Sequence, residues 1–109
     1  MQQEIFSEPS MMKRTINACK PVLPAIYKAF NDKGITNIVT MARGTSDNAA
    51  TVFSFVCPLI TGIKVGKYHP SLTTVYDSNV DMKNTCMVII SQSGMSKDTV
   101  AVMEKAIKN

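Results

Sequence analysis

Short apolar runs alternate with amphipathic stretches along this chain, and the alternation predicts strands that feed into helices. Asn37-Ile38-Val39-Thr40-Met41 and Cys86-Met87-Val88-Ile89-Ile90 are too short for helices and rich in β-branched residues, so they read as buried parallel strands. The first strand is placed at about Thr36–Met41, a second at Ile63–Tyr68 and a third at Cys86–Ile90. A helix from Asp47 to about Ile60 joins the first two; Pro58 should kink or shorten it and Gly62 end it. The last helix covers roughly Ser96–Lys108. Upstream, the polar residues 1–8 suggest an extended arm, and Pro9-Ser10 opens a helix through about Cys19. Pro21 and Pro24 cannot lie deep in that helix, so a second one starts near them. Its Val22, Ile26, Ala29 and Phe30 share one face, and Gly34 is its C-terminal cap. The stretch His69–Asn84 is turn-rich and reads as loop, with a short strand at Leu72–Val75.

Strands alternating with helices imply an α/β fold, a parallel sheet with right-handed crossovers. In the common 2-1-3-4-5 order the first and third strands are neighbours, and ligands sit between their C-terminal ends. The chain stops after the third strand–helix unit, which would leave the third strand without a neighbour on one side. An apolar edge strand needs cover. The expectation is a fragment of a longer domain, or a partner that supplies the cover.

Both of those strand ends run into Ser/Thr-Gly loops: Ala42-Arg43-Gly44-Thr45-Ser46-Asp47-Asn48 and Ser91-Gln92-Ser93-Gly94-Met95-Ser96-Lys97-Asp98-Thr99. A helix N-terminus offers unpaired N–H groups and a positive dipole end, which suits an anion. Hydroxyls donate to phosphate oxygens without crowding the backbone. Loop chemistry and topology therefore converge on one phosphate-binding crevice. Against this stands the plain reading of Ser46 and Ser96 as helix caps, a role compatible with a hydroxyl turned toward a ligand. Asp47 and Asp98 favour the helix dipoles and should face away from the crevice. Arg43 is either an anion clamp or a solvated surface residue.

Composition narrows the picture. The chain has 109 residues, one domain or part of one, and 45% of them are hydrophobic, enough for a real core. The formal charge of +4 is spread without a basic run, and aromatics are only 6%, so neither nucleic acid nor a membrane surface is the expected partner. Cys19, Cys57 and Cys86 show no paired spacing and read as reduced thiols of a cytoplasmic protein. No metal-ligand spacing is present. The single histidine, His69, precedes a proline in the predicted loop and reads as a packing residue rather than a catalytic base.

The two Ser/Thr loops resemble the two signature segments of the sugar isomerase (SIS) domain family. Glu4-Ile5 followed by Glu8-Pro9 is similar to the opening of that family's aminosugar-phosphate enzymes. The resemblance covers nearly the whole chain and implies a three-layer α-β-α, flavodoxin-like parallel sheet that binds phosphosugars. It divides the chain into an arm and first helix, residues 1–20, and a partial SIS domain, residues 21–109. It also implies that Ser91, Ser93 and Ser96 hold the sugar phosphate and that Gln92 contacts sugar or phosphate. Thr45 and Ser46 would reach the sugar, while Gly44 and Gly94 permit close backbone approach. Pro70-Ser71-Leu72-Thr73-Thr74-Val75-Tyr76 is more like glucosamine-6-phosphate deaminases than like the synthase of that sugar. The synthase pattern has a glutamate where Pro58 falls, and synthases carry a glutamine-hydrolysing domain ahead of this region. The family's isomerising Glu, His and Lys belong to a second SIS half, so no catalytic residue is assigned here. The expected activity is aldose–ketose isomerisation coupled to amine gain or loss on fructose 6-phosphate or glucosamine 6-phosphate. The alternative is a non-catalytic module that senses a sugar phosphate. No cofactor is implied, and a homodimer or a second SIS half is the expected partner.

Overall fold

The structure is a computed structural model that describes residues 1–109. Two compact units divide the chain, Met1–Gly34 and Ile35–Asn109.

The first unit is helical. Helix α1 spans Gln2–Cys19, a 3-10 turn spans Lys20–Val22, and α2 spans Leu23–Asp32. Residues 1–8 are therefore not an extended arm: all but Met1 belong to α1, which passes through Pro9. Proline removes one ladder hydrogen bond at that point. The surrounding turns retain local support, with Ser7 Oγ donating to the Glu4 carbonyl and Ser10 Oγ to the Ser7 carbonyl, both at 2.9 Å. Glu4 in the first turn also favours the helix dipole. Helix α2 starts with proline in its first turn, as the sequence predicts, and Gly34 follows it at φ +60.

The second unit carries the sheet. Strands β1 (Asn37–Ala42), β2 (Val65–Lys67) and β3 (Thr85–Ile90) form a three-stranded parallel sheet in the order β2-β1-β3. Helices α3 (Ser46–Thr61), α4 (Ser71–Thr74) and α5 (Lys97–Lys108) complete the unit. The α/β class and the central position of the first strand are as the sequence predicts. Side chains alternate across the sheet. Val39 and Met41 gather with Met87, Ile89, Tyr68 and Val102 into the main core cluster. Ile38, Thr40 and Ala42, in the alternate positions, are also buried, as is Ala50 of α3.

Two local expectations change. Leu72–Val75 is not a strand; Ser71–Thr74 forms a single helical turn, α4. Pro70 presets a helical φ of −55 just before it, and its carbonyl accepts the Thr73 and Thr74 N–H groups at 3.0 Å. The turn presents Leu72 to the core cluster and lets the Thr73 hydroxyl meet the Tyr68 hydroxyl at 2.8 Å. Helix α3 is not shortened by Pro58. It runs on to Thr61, and Gly62 ends it at φ +73 with its N–H on the Pro58 carbonyl.

Candidate functional site

Strands β1 and β3 pair in parallel register from Asn37↔Thr85 to Ala42↔Ile90, so their C-terminal ends lie side by side. The chain leaves β1 through Arg43, Gly44 and Thr45 into α3, and leaves β3 through residues 91–96 into α5. Gly44 sits at φ +60 and Gly94 at φ +67, conformations that glycine adopts without strain. These turns let both loops fold over the strand ends. Between them lies a cleft of about 380 Å³, lined by Arg43, Thr45, Ser46, Ile90, Ser91, Gln92, Ser93, Ser96 and Thr99. Six of the eight residues expected from the sequence thus meet in one cavity. Gly44 and Gly94 do not line it; they shape the loops that do.

The hydroxyls are tied to their own loops. Ser91 Oγ accepts the Gly94 N–H at 3.0 Å, and Ser93 Oγ accepts the Met95 N–H at 3.3 Å. Ser96 is the N-cap of α5, extended at φ −66 and ψ 140, and its Oγ accepts the Thr99 N–H at 3.3 Å. Capping is therefore one role of Ser96. Ser46, by contrast, caps nothing. It is the first residue of α3, Thr45 holds the N-cap position, and no side chain bonds back to that end of the helix. The N-terminus of α3 meets the cleft with the Thr45 and Ser46 side chains uncommitted to its amides.

The sequence reading missed Thr99. It lies in the first turn of α5, only 8% exposed, and its hydroxyl pairs with that of Ser96. The signal was available as the spacing from an N-cap serine to a hydroxyl residue three positions on. Arg43 stands in the cleft wall and forms an ion pair with Asp98, from the first turn of α5. Asp47, in the first turn of α3, pairs with Lys67 of β2. Asp47 and Asp98 are thus both held by a cation, in keeping with a structural role. His69 is exposed in the segment after β2 and is not part of the cleft wall.

Two ionisable groups are shifted, both outside the cleft. Asp77 lies below its ordinary value because Lys105 hydrogen-bonds and attracts its carboxylate. Cys86 lies above its ordinary value through burial, with a smaller effect from nearby Cys57. No helix is long and apolar enough to cross a membrane.

Fold and site together define a parallel α/β domain with a hydroxyl-lined cleft at the C-terminal ends of adjacent strands. Such crevices, walled by two helix N-termini, favour anionic ligands. No family model matches the chain. It is 32% identical over 111 residues to the glutamine–fructose-6-phosphate aminotransferases (isomerizing) of Bordetella parapertussis and Bordetella bronchiseptica. Those alignments cover 97% of this chain and 18% of each relative, so the chain spans under a fifth of their length. A crystal structure from Silicibacter pomeroyi DSS-3, of a protein provisionally named a phosphosugar isomerase, superimposes with a TM-score of 0.88 at 27% identity. It is matched over 97% of this chain and 32% of its own. The likenesses in sequence and in structure support an SIS-type domain.

Proposed function

We propose that this chain binds a phosphorylated sugar in the β1–β3 cleft, as part of an aminosugar-phosphate isomerase or deaminase acting on fructose 6-phosphate or glucosamine 6-phosphate. The observation that carries the reading is the convergence of Thr45, Ser46, Ser91, Gln92, Ser93 and Ser96 on one cavity at two helix N-termini. In this reading Ser91, Ser93 and Ser96 hold the phosphate, with the positive end of the α5 dipole behind them. Thr45, Ser46 and Gln92 orient the sugar. The likeness to aminotransferases that carry fructose 6-phosphate in their name, and to a phosphosugar isomerase, supports the substrate class. The deaminase branch rests on residues 70–76 alone, since the relatives in hand are named aminotransferases.

A second reading has its own support. The cleft wall carries hydroxyls, an amide and a guanidinium, and no carboxylate or imidazole. Ring opening and a C1–C2 proton shift need a general acid and base set against the sugar. These residues alone therefore serve binding, and a sensing module would need nothing more.

The test is thermal denaturation with and without fructose 6-phosphate, glucosamine 6-phosphate and inorganic phosphate. A ligand present at a hundred times its dissociation constant adds about 2.7 kcal/mol to stability. A shift with one sugar phosphate beyond that given by phosphate is the expected result. A well-folded sample that responds to none of the three refutes the reading.

A further inference from the structure

Arg43 is the one cation in the cleft wall, and its charge is not free. Its Nη1 pairs with Oδ2 of Asp98, a residue that does not itself line the wall. Both partners are rooted on fixed backbone. Arg43 directly follows Ala42, the buried last residue of β1, and Asp98 lies in the first turn of α5 beside the buried Thr99. The pair therefore ties the loop after β1 to the helix after β3, across the strand ends. With the arginine side chain 63% exposed, such a pair adds little to stability, so its consequence is positional rather than energetic.

A guanidinium carries five N–H groups in a rigid fork. The pair engages one terminal nitrogen and leaves Nη2 and Nε outside it. We infer that Asp98 is a positioning residue that sets the selectivity of the cleft. It anchors Arg43 so that the rest of the fork meets a phosphoryl group held at the start of α5. It also cancels a charge that would otherwise draw any small anion into the cleft. The inference rests on the sugar-phosphate reading and adds to it a means of discriminating against the bare ion. Two effects oppose each other when the anchor is lost. A freed Arg43 carries an unmasked positive charge, and an inorganic phosphate ion can settle wherever that guanidinium goes. The phosphoryl group of a sugar phosphate cannot follow, because in that reading Thr45, Ser46 and Gln92 hold its sugar. Losing Asp98 thus favours the bare ion and penalises the tethered one, and the ratio of the two affinities reports the anchor.

The experiment is titration calorimetry of the full chain with glucosamine 6-phosphate, fructose 6-phosphate and inorganic phosphate, on the parent and three variants. Asp98→Asn should bind inorganic phosphate roughly threefold more tightly, the weight of one exposed charge. It should bind the sugar phosphate roughly fivefold more weakly, through a misplaced charge-assisted hydrogen bond. Asp98→Glu keeps the carboxylate and should hold the ratio of affinities within about threefold of the parent. Arg43→Lys keeps the charge but not the fork, and should weaken the sugar phosphate roughly tenfold. Ligand-free thermal denaturation separates these effects from the loss of a helix-dipole contribution at Asp98. A parent that binds neither sugar phosphate refutes the cleft reading and this inference with it. A parent that binds one, while Asp98→Asn changes sugar phosphate and inorganic phosphate equally or not at all, overturns this inference alone. So does an Arg43→Lys variant that binds the sugar phosphate as the parent does.

Discussion

Two substitutions of Ser96 separate its role as a helix cap from its role toward a ligand. Its Oγ accepts the Thr99 N–H and pairs with the Thr99 hydroxyl, on a residue that is 8% exposed. Ser96→Ala removes the cap, a loss of about 1 kcal/mol. It also leaves the buried Thr99 hydroxyl short of a partner, which costs about 1 kcal/mol more. In a domain of this size each kcal/mol lowers Tm by about 4–8 °C. Ser96→Asp keeps an acceptor of equal quality at the N-cap and should leave stability within about 0.5 kcal/mol of the parent. It also places a carboxylate in the cleft wall. Toward a phosphate charge roughly 5 Å away, at an effective dielectric of about 20, the repulsion is about 3 kcal/mol, a loss of more than a hundredfold in affinity. The expected pattern is thus crossed: alanine loses stability and keeps much of its binding, aspartate keeps stability and loses binding. Thermal denaturation and titration calorimetry with glucosamine 6-phosphate read the two axes separately. Undiminished binding by Ser96→Asp would show that the hydroxyl is a cap and nothing else. An alanine variant as stable as the parent would refute the capping argument.

Three other substitutions probe the scaffold. Met41→Ala empties a site that is 1% exposed between Tyr68 and Val102, and should cost 2–5 kcal/mol, seen as a lower urea midpoint at unchanged slope. Gly94→Ala puts a Cβ where nothing lies within 4 Å, so its cost is that of the backbone at φ +67, about 1 kcal/mol; a variant as stable as the parent would show that the loop relaxes freely. Asp77 lies below its ordinary value because of Lys105, so the pair stabilises the fold above the usual aspartate range and loses that contribution as pH falls through it. Asp77→Asn should therefore flatten the acid side of the stability–pH curve, and an unchanged curve would remove this pair from the account.

What the sequence discloses about this fold follows from how local each determinant is. β1 and β3 are legible because their β-branched runs have no other comfortable conformation, and their parallel pairing follows from the intervening helix. Gly34 and Gly62 mark helix ends because φ values of +60 and +73 suit few other residues. Residues 2–8 mislead because a polar stretch reads the same in an exposed arm and in an exposed helix, and Pro9 tips the choice toward a start where the structure continues. Thr73, Thr74 and Val75 carry strand propensity that the helical φ of Pro70 and the burial of Leu72 override. In the cleft, the loop residues are legible because their chemistry is written in the loops themselves. The pairing of Arg43 with Asp98 is not, since it joins two elements that only the finished sheet brings together.

The hydrogen-bond polarity of the cleft says more about its ligand than its shape does. Ser91 and Ser93 each use an oxygen lone pair to accept a backbone N–H from their own loop, at 3.0 and 3.3 Å. That bond fixes the oxygen and leaves the hydroxyl proton to be donated elsewhere. Ser96 accepts the Thr99 N–H in the same way, and whichever member of the Ser96–Thr99 hydroxyl pair donates to the other, one proton remains to be given. Gln92 adds an amide and Arg43 a guanidinium to the same wall. The backbone takes one of the two lone pairs on each of these oxygens, and the hydroxyl protons that remain are the donors an anion needs. The bonds that fix these serines in their own loops thus also orient their hydroxyls, so the structural role is compatible with the binding role proposed above.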